Sequence, residues 1–472
     1  MASVKAYRFG EAGSPSFPDD FEVSKKAVLQ VTDIKTNRNK YYAIELHTAA
    51  AQYRVFTHYG RTDDLETNAE AGAKECRFFA DSGEALACYD SIYREKTSAK
   101  KGYKEIALAS SKIGSQKARG TSAGEVDAKT IAKIAERDQA RPPPPVSKLS
   151  PLVQGLVSYI YAEATNALTS TVAAKITAQG IETPLGVLTV GQIERGEAIL
   201  QQAYGVFKAN PGNTSDLERL SGEFYTCIPH RLGRSRAEVE ASVISSLVAF
   251  EQKQETLQLM KDMLSVNGDS GVLFDSKGDA QYEALRCTVA ALEPGSSQFR
   301  ELSELVLSSQ IKSKNIKIHN IYQIARPEET AAYDAKVGNE RLLFHGSRIK
   351  NWVGLLSRGI LLPKIVVSMG VNRTDAGWLG NGIYFGDAAC TSAFYTTAGK
   401  KGTRLMAIAR VGLGKMKHYD RITYGLDGAP LGFDSTHGVR HTPKTPSQFQ
   451  DDEYVVYRSN QQKLEALVEF AA

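Results

Sequence analysis

Three segments near the C-terminus carry residue types that can do chemistry. Leu342-Leu343-Phe344-His345-Gly346-Ser347-Arg348 is an apolar strand ending in a His-Gly-Ser corner, followed by Asn351-Trp352-Val353-Gly354-Leu355-Leu356 at helical spacing. His-Gly at a strand's end exposes an imidazole beside backbone that a ligand can approach closely. Some thirty residues on, the glycine-rich loop Gly377-Trp378-Leu379-Gly380-Asn381-Gly382 leads into a strand, Ile383-Tyr384-Phe385-Gly386. Ala388 to Tyr395 then reads as helix, and Ser392 and Tyr395, three apart, share one face of it. Asp451-Asp452-Glu453-Tyr454-Val455-Val456-Tyr457 is a strand that begins with acids, with Glu453, Val455 and Tyr457 on one face. Taken singly, each has a structural reading as well: a histidine closing a strand, an aromatic core strand after a tight loop, and solvated acids at a strand end.

Familiar nucleotide motifs are missing. The nearest approach to G-x-G-x-x-G is Gly377-x-x-Gly380-x-Gly382, whose spacing is wrong for a dinucleotide-binding turn. Neither G-x-x-x-x-G-K-[ST] nor H-E-x-x-H occurs. A Rossmann dehydrogenase, a kinase or ATPase, and a zincin therefore have no support.

The elements that position these segments follow from the hydrophobic pattern. From about Ser297 onward, β-type runs at Lys317 to Ile324, Leu342 to Phe344, Gly382 to Phe385, Leu405 to Val411, Tyr454 to Tyr457 and Leu464 to Phe470 mark a mixed α+β domain, assigned to residues 296–472. Residues 148–295 form a helical domain, read as all-α with about six helices, because Leu152, Leu156 and Ile160, then Val243, Leu247 and Phe250, recur at three-and-four spacing. Glycines 155, 180, 186, 191, 196 and 205 would weaken any helix they fall inside. Residues 1–113 form a small α+β module, with strands at Ala27 to Thr32, Tyr41 to Leu46 and Gln52 to Phe56. A helix is expected there from about Asn68 to Lys96, since Ala73, Cys76, Phe79, Leu86, Tyr89 and Tyr93 lie near helical spacing. Residues 114–147 read as a linker containing the stiff run Pro142-Pro143-Pro144-Pro145.

Composition fits such a multidomain α+β chain. Its 472 residues are 42% hydrophobic and 24% charged, which excludes collagen-like and wholly disordered classes. No run is apolar enough to span a bilayer, and no apolar leader opens the chain, so neither membrane contact nor secretion is expected. Five widely spaced cysteines, with no C-x-x-C pair and no Cys/His cluster, suggest reduced thiols and no metal site. A net charge of +5 permits nucleic-acid binding without arguing for it.

In their order, His-Gly-Ser, Gly-Ile-Tyr-Phe and Glu-Tyr-Val-Val-Tyr resemble the His-Tyr-Glu triad of the poly(ADP-ribose) polymerase catalytic domain. Leu361-Leu362-Pro363-Lys364, Arg373-Thr374-Asp375 and Phe433-Asp434-Ser435-Thr436-His437-Gly438-Val439 look closest to the family's vault-associated branch. Pro184-Leu185-Gly186-Val187-Leu188 and Phe224-Tyr225-Thr226-Cys227-Ile228-Pro229-His230 resemble its helical regulatory domain. Asn39-Lys40-Tyr41-Tyr42, His58-Tyr59-Gly60-Arg61 and Lys101-Gly102-Tyr103 resemble its WGR domain, with Tyr59 in place of the signature Trp.

The resemblance implies transfer of ADP-ribose from NAD+, as substrate, to acceptor proteins including the enzyme itself, with elongation to a polymer. Glu453 would stabilise the positive charge that develops on the nicotinamide ribose. His345 would bond the adenine ribose, with Ser347 and Asn351 nearby. Gly346 and Ser392 would fix the carboxamide, the ring would lie between Tyr384 and Tyr395, and Trp378 would keep an aromatic wall. Leu361 and Thr391 stand where DNA-dependent members carry Arg and Lys.

By the same resemblance, Tyr59, Arg61, Lys100 and Lys101 would contact DNA ends or nicks, although residues 1–115 carry 17 basic and 16 acidic side chains and so no broad basic field. The helical domain would shield the cleft until DNA binds. A nuclear location follows if the source is eukaryotic, and a cytoplasmic one if it is bacterial. Two rivals are a mono(ADP-ribosyl)transferase and a catalytically silent DNA-binding scaffold.

Overall fold

The computed structural model describes residues 4–120, 147–177, 180–267, 278–311, 313–362 and 377–472. The expected polyproline spacer and the motif residues Pro363, Lys364, Arg373, Thr374 and Asp375 lie outside them. The chain divides into two units, Met1–Pro142 with Leu168–Leu264, and Pro143–Ala167 with Ser265–Ala472.

The first unit is built on a six-stranded antiparallel sheet. Its order is Tyr7–Arg8, Ala73–Phe79, Gln52–Arg61, Arg38–Ala49, Glu22–Asp33 and Lys104–Glu105. Alternation along the long strands sends Leu29, Val31, Tyr42, Ile44 and Val55 to one face, where Ala85 and Tyr89 of the helix Ser82–Thr97 cover them. That helix begins at Asp81, whose carboxylate accepts from the Glu84 N–H at 2.8 Å. It is shorter than the spacing predicts. Ala73, Cys76 and Phe79 belong to a strand paired with Gln52–Arg61, where cross-strand pairing overrides a period that fits helix and strand alike over so few residues.

On the opposite face, Ser115 donates to Glu45 through both its backbone N–H and its hydroxyl, at 2.9 and 2.5 Å. Residues 114–120, grouped with the linker by composition, thus lie against the sheet. The region read as all-α has six helices among its described residues, but its first half also holds three short strands, Lys175–Thr177, Gly180–Glu182 and Gly186–Leu188. These pair with Leu108–Ser111 of the N-terminal module as a four-stranded antiparallel sheet. The all-helical expectation is corrected there: the stretch is too short and glycine-rich to sustain a helical period, and strand pairing satisfies its backbone.

The helix Thr214–Cys227 touches the large sheet directly. The Thr226 hydroxyl accepts from the Thr32 N–H at 2.8 Å, with both residues buried, and donates to the Gly222 carbonyl at 2.8 Å. A Cβ on Gly222 would lie 2.6 Å from the Thr32 carbonyl oxygen, so only glycine permits this approach.

The second unit holds a nine-stranded sheet. Its order is Thr288–Ala291, Lys317–Ala325, Gln462–Ala471, Arg404–Gly412, Glu340–Gly346, Ile383–Gly386, Glu453–Val456, Ser435–Gly438 and Met416–Tyr419, antiparallel except for the last pair. Phe344, Met406, Ile408, Val468 and Phe470 form its core with Val306, Ala389 and Ala393 from two flanking helices. A buried Arg326–Glu329 pair steadies the helix Trp352–Arg358. Arg326 donates to the carbonyls of Leu356 and Ser357 at 2.8 and 3.0 Å, and Glu329 accepts from the Leu464 N–H at 2.8 Å. No described helix is long and apolar enough to cross a membrane.

Candidate active site

Three strand ends meet at one cleft. His345, Gly346, Trp378, Tyr384, Ser392, Tyr395 and Glu453 line it, and it opens to solvent. Ser347 and Asn351 stand beside it on the turn after the His345 strand, bonded to each other from Asn351 Nδ2 to Ser347 Oγ at 3.2 Å. Ile360, Leu361, Gly382, Phe385 and Thr391 line the cleft too. Leu361 and Thr391 are the two departures from the DNA-dependent members, and both face the cleft.

His345 is fixed by its neighbour strand. Its Nδ1 lies 3.0 Å from the Tyr384 carbonyl, which can only accept, so Nδ1 carries the hydrogen and Nε2 keeps a lone pair. Burial pushes the imidazole below its ordinary pKa, which keeps it neutral and able to accept from a hydroxyl. Tyr384 is held in turn: its hydroxyl donates to the Gly380 carbonyl at 2.8 Å and accepts from the Leu379 N–H at 2.9 Å. The glycine-rich loop thereby sets the angle of this ring.

Ser392 donates to the Phe344 carbonyl at 3.1 Å and is buried, whereas Tyr395, at the end of the same helix, is 43% exposed and supplies an outer wall. A Cβ on Gly346 would run into the Ser392 carbonyl, so this corner must be glycine. Trp378 meets Phe449 edge-on at 6.0 Å and braces the far wall. Glu453 is pushed up to about 7, first by burial and then by the neighbouring Asp451. Thr391 Oγ1 is buried with no partner among the described residues, which suits a wall that receives a polar ligand.

The residues proposed for DNA lie on the first unit. Tyr59 stacks on Tyr42, with ring centroids 5.0 Å apart and planes at 8°, and its hydroxyl donates to Glu75 at 2.7 Å. Tyr103 meets Tyr42 edge-on at 6.2 Å, while Lys96 and Arg38 lie over Tyr42 and Tyr103. Arg61 pairs with Asp63 at 2.8 Å and reaches the Asn37 carbonyl, and Arg38 donates to the Lys101 carbonyl at 2.7 Å. One turn thus links Arg61 with Lys101. Lys100 and Lys101 line a polar cavity with Lys35, Arg38, Lys104 and Arg219. Among the described residues, no group of three or more His, Cys, Asp or Glu could hold a metal ion.

The central strands of this mixed sheet thus bring His345, Tyr384 and Glu453 to one cleft, the setting in which a small-molecule site is found. The sequence matches the poly(ADP-ribose) polymerase catalytic domain over residues 296–472, that family's regulatory domain over 147–268, and the WGR domain over 25–109. The chain belongs to the poly(ADP-ribose) polymerase family. It is 35% identical over 323 residues to the protein mono-ADP-ribosyltransferase PARP4 of Mus musculus, covering 68% of this chain and 16% of that protein. For the Homo sapiens protein of the same name, the figures are 30% over 465 residues, 97% and 24%. The protein mono-ADP-ribosyltransferase PARP3 of Mus musculus is 26% identical over 495 residues, covering 93% of this chain and 87% of that protein. The chain therefore spans well under two thirds of either PARP4 relative.

Proposed function

We propose that this chain transfers ADP-ribose from NAD+ to protein side chains and that DNA ends or nicks stimulate it. The observation that carries this reading is the meeting of Glu453, His345 and the rings of Tyr384 and Tyr395 in one cleft. A flat cationic ring suits the space between two aromatic walls. The Gly346 corner and Ser392 would hold its carboxamide, and His345 Nε2 would accept from a ribose hydroxyl.

In the transfer, the bond from the ribose carbon to nicotinamide breaks, and its electron pair leaves with neutral nicotinamide. Positive charge grows on the ribose, and the Glu453 carboxylate stabilises it. An acceptor oxygen then bonds to the same carbon and gives up its proton. Glu453 also orients that acceptor, which is the demand made by elongation.

Elongation to a polymer is the first reading, resting on the His-Tyr-Glu set. A single transfer is the second, favoured by the names of the PARP4 and PARP3 relatives. DNA sensing rests on Tyr59, which packs on the core residues Tyr42 and Tyr103, on Arg61, and on Lys100 and Lys101 with the basic cavity that they line. Work on DNA ends would put the protein in a nucleus, or in the cytoplasm of a bacterium.

The test is incorporation of labelled NAD+ into acid-precipitable protein, with and without nicked or 5′-phosphorylated duplex. DNA-stimulated smears support elongation and sensing, and sharp bands support single transfer. Incorporation indifferent to DNA removes the sensor, and no incorporation at all leaves a binding scaffold.

A further inference from the structure

A single guanidinium joins the strand ends around Glu453. Gly386 and Gly438 stand in register on either side of Glu453, on the strands Ile383–Gly386 and Ser435–Gly438. Asp387 follows the first glycine, Asp452 precedes Glu453, and Arg440 comes two residues after Gly438. The Arg440 side chain donates to Asp387 Oδ1 at 2.9 Å and lies 3.4 Å from Asp452 Oδ2, while its backbone N–H donates to Asp452 Oδ1 at 3.0 Å. Its Nε is 4.0 Å from Asp451 Oδ1. His437 also reaches Asp452, with Nε2 at 2.7 Å from Oδ1 and its ring flat against Tyr454 at 4.5 Å.

We propose that Arg440 is a positioning residue for Glu453, tying three strand ends together and offsetting the charge of Asp451, two residues before that carboxylate. The proposal rests on the reading that Glu453 acts in transfer. Asp451, two residues before Glu453, opposes the ionisation of that carboxyl, and Arg440 Nε stands 4.0 Å from the Asp451 carboxylate. Asp452 is held below its ordinary value because hydrogen bonds from His437 and Arg440 outweigh its burial. Asp387 stays above its own, since burial outweighs the pull of Arg440. Burial and Asp451 push Glu453 up to about 7, so removal of the cation that faces Asp451 would push it higher.

The other groups facing this corner come from several elements. Tyr384 stands on the Asp387 strand. His345 and Arg341 stand on the next strand, where Arg341 donates to the Tyr454 hydroxyl at 3.0 Å. His418, on Met416–Tyr419, lies 2.9 Å from His437 between Nδ1 atoms. Arg440 alone spans Asp387 and Asp452 among the described ion pairs.

The test follows nicotinamide release against pH for the full chain and for R440M, R440K, D451N and E453Q. R440M should lower kcat about tenfold or more with KM for NAD+ within about twofold, and should move the acid limb to higher pH. R440K should restore part of the wild-type limb, and D451N should move the limb to lower pH. A wild-type limb and kcat in R440M overturns the proposal. If R440M does not fold, an unmoved limb in D451N overturns it instead. Unchanged release in E453Q defeats the reading of Glu453 itself, which separates the two failures.

Discussion

Glu453 stands directly across from Gly386 on the neighbouring antiparallel strand, so the position facing the carboxylate carries no side chain. A Cβ at Gly386 would sit 3.3 Å from Ser392 Oγ and 3.8 Å from Thr391 Cβ. Glu453, Ser392 and Thr391 therefore border one small space at the end of the cleft. That space is where the reacting carbon must lie if Glu453 is to act on it.

Activity should depend on pH through Glu453. The carboxylate is the working form, and its pKa is pushed up to about 7, so turnover should rise through neutrality and level off above it. Below about pH 7, release of nicotinamide should fall roughly tenfold per unit. Burial pushes His345 below its ordinary value, so any limb it adds lies on the acid side of the one from Glu453. A profile flat from about pH 5.5 to about 8 would contradict the assignment.

Gly346→Ala should disrupt both the corner and the ligand site. The new methyl would meet the Ser392 carbonyl, and overpacking of this kind costs roughly 1–3 kcal/mol. Denaturant titration should show that destabilisation, and calorimetry should show weaker NAD+ binding. Wild-type affinity in the variant would mean that the carboxamide does not lie there.

Thr226→Val should loosen the first unit. It leaves the buried Thr32 N–H without its partner, worth roughly 1–3 kcal/mol, whereas Thr226→Ser keeps the hydroxyl. Urea unfolding of the full chain should separate the two variants. Equal stability would show that the hydrogen bond contributes nothing between sheet and helix.

Lys100→Gln and Lys101→Gln together should weaken binding to a nicked duplex and flatten its salt dependence. Removing one lysine–phosphate pair should reduce the log–log slope by about 0.9. Fluorescence anisotropy across a salt series reads this directly. An unchanged slope would remove both lysines from the interface.

Much of the second unit is legible in the sequence because its strands are long, apolar and regularly spaced. Lys317–Ala325, Arg404–Gly412 and Gln462–Ala471 lie within a residue or two of the runs that the hydrophobic pattern marks. Short strands such as Ser435–Gly438 and Met416–Tyr419 carry too few residues to show a period. Ala73–Phe79 reads as helix because so few residues fit either period, and only pairing with Gln52–Arg61 decides it. In the cleft, His345, Tyr384 and Glu453 stand out by type and order. Arg440 does not, because a lone Arg says nothing until folding sets it against Asp387 and Asp452. Tyr59 and Arg61 match a motif, but their ties to Glu75 and Asp63 are matters of folded geometry.

The most direct test is the Glu453→Gln variant, with nicotinamide release and NAD+ affinity measured on the same preparation. The change keeps the shape and removes the charge, so release should fall about 10²–10³-fold while affinity stays near wild type. Release at the wild-type rate would contradict the claim that this carboxylate drives the transfer.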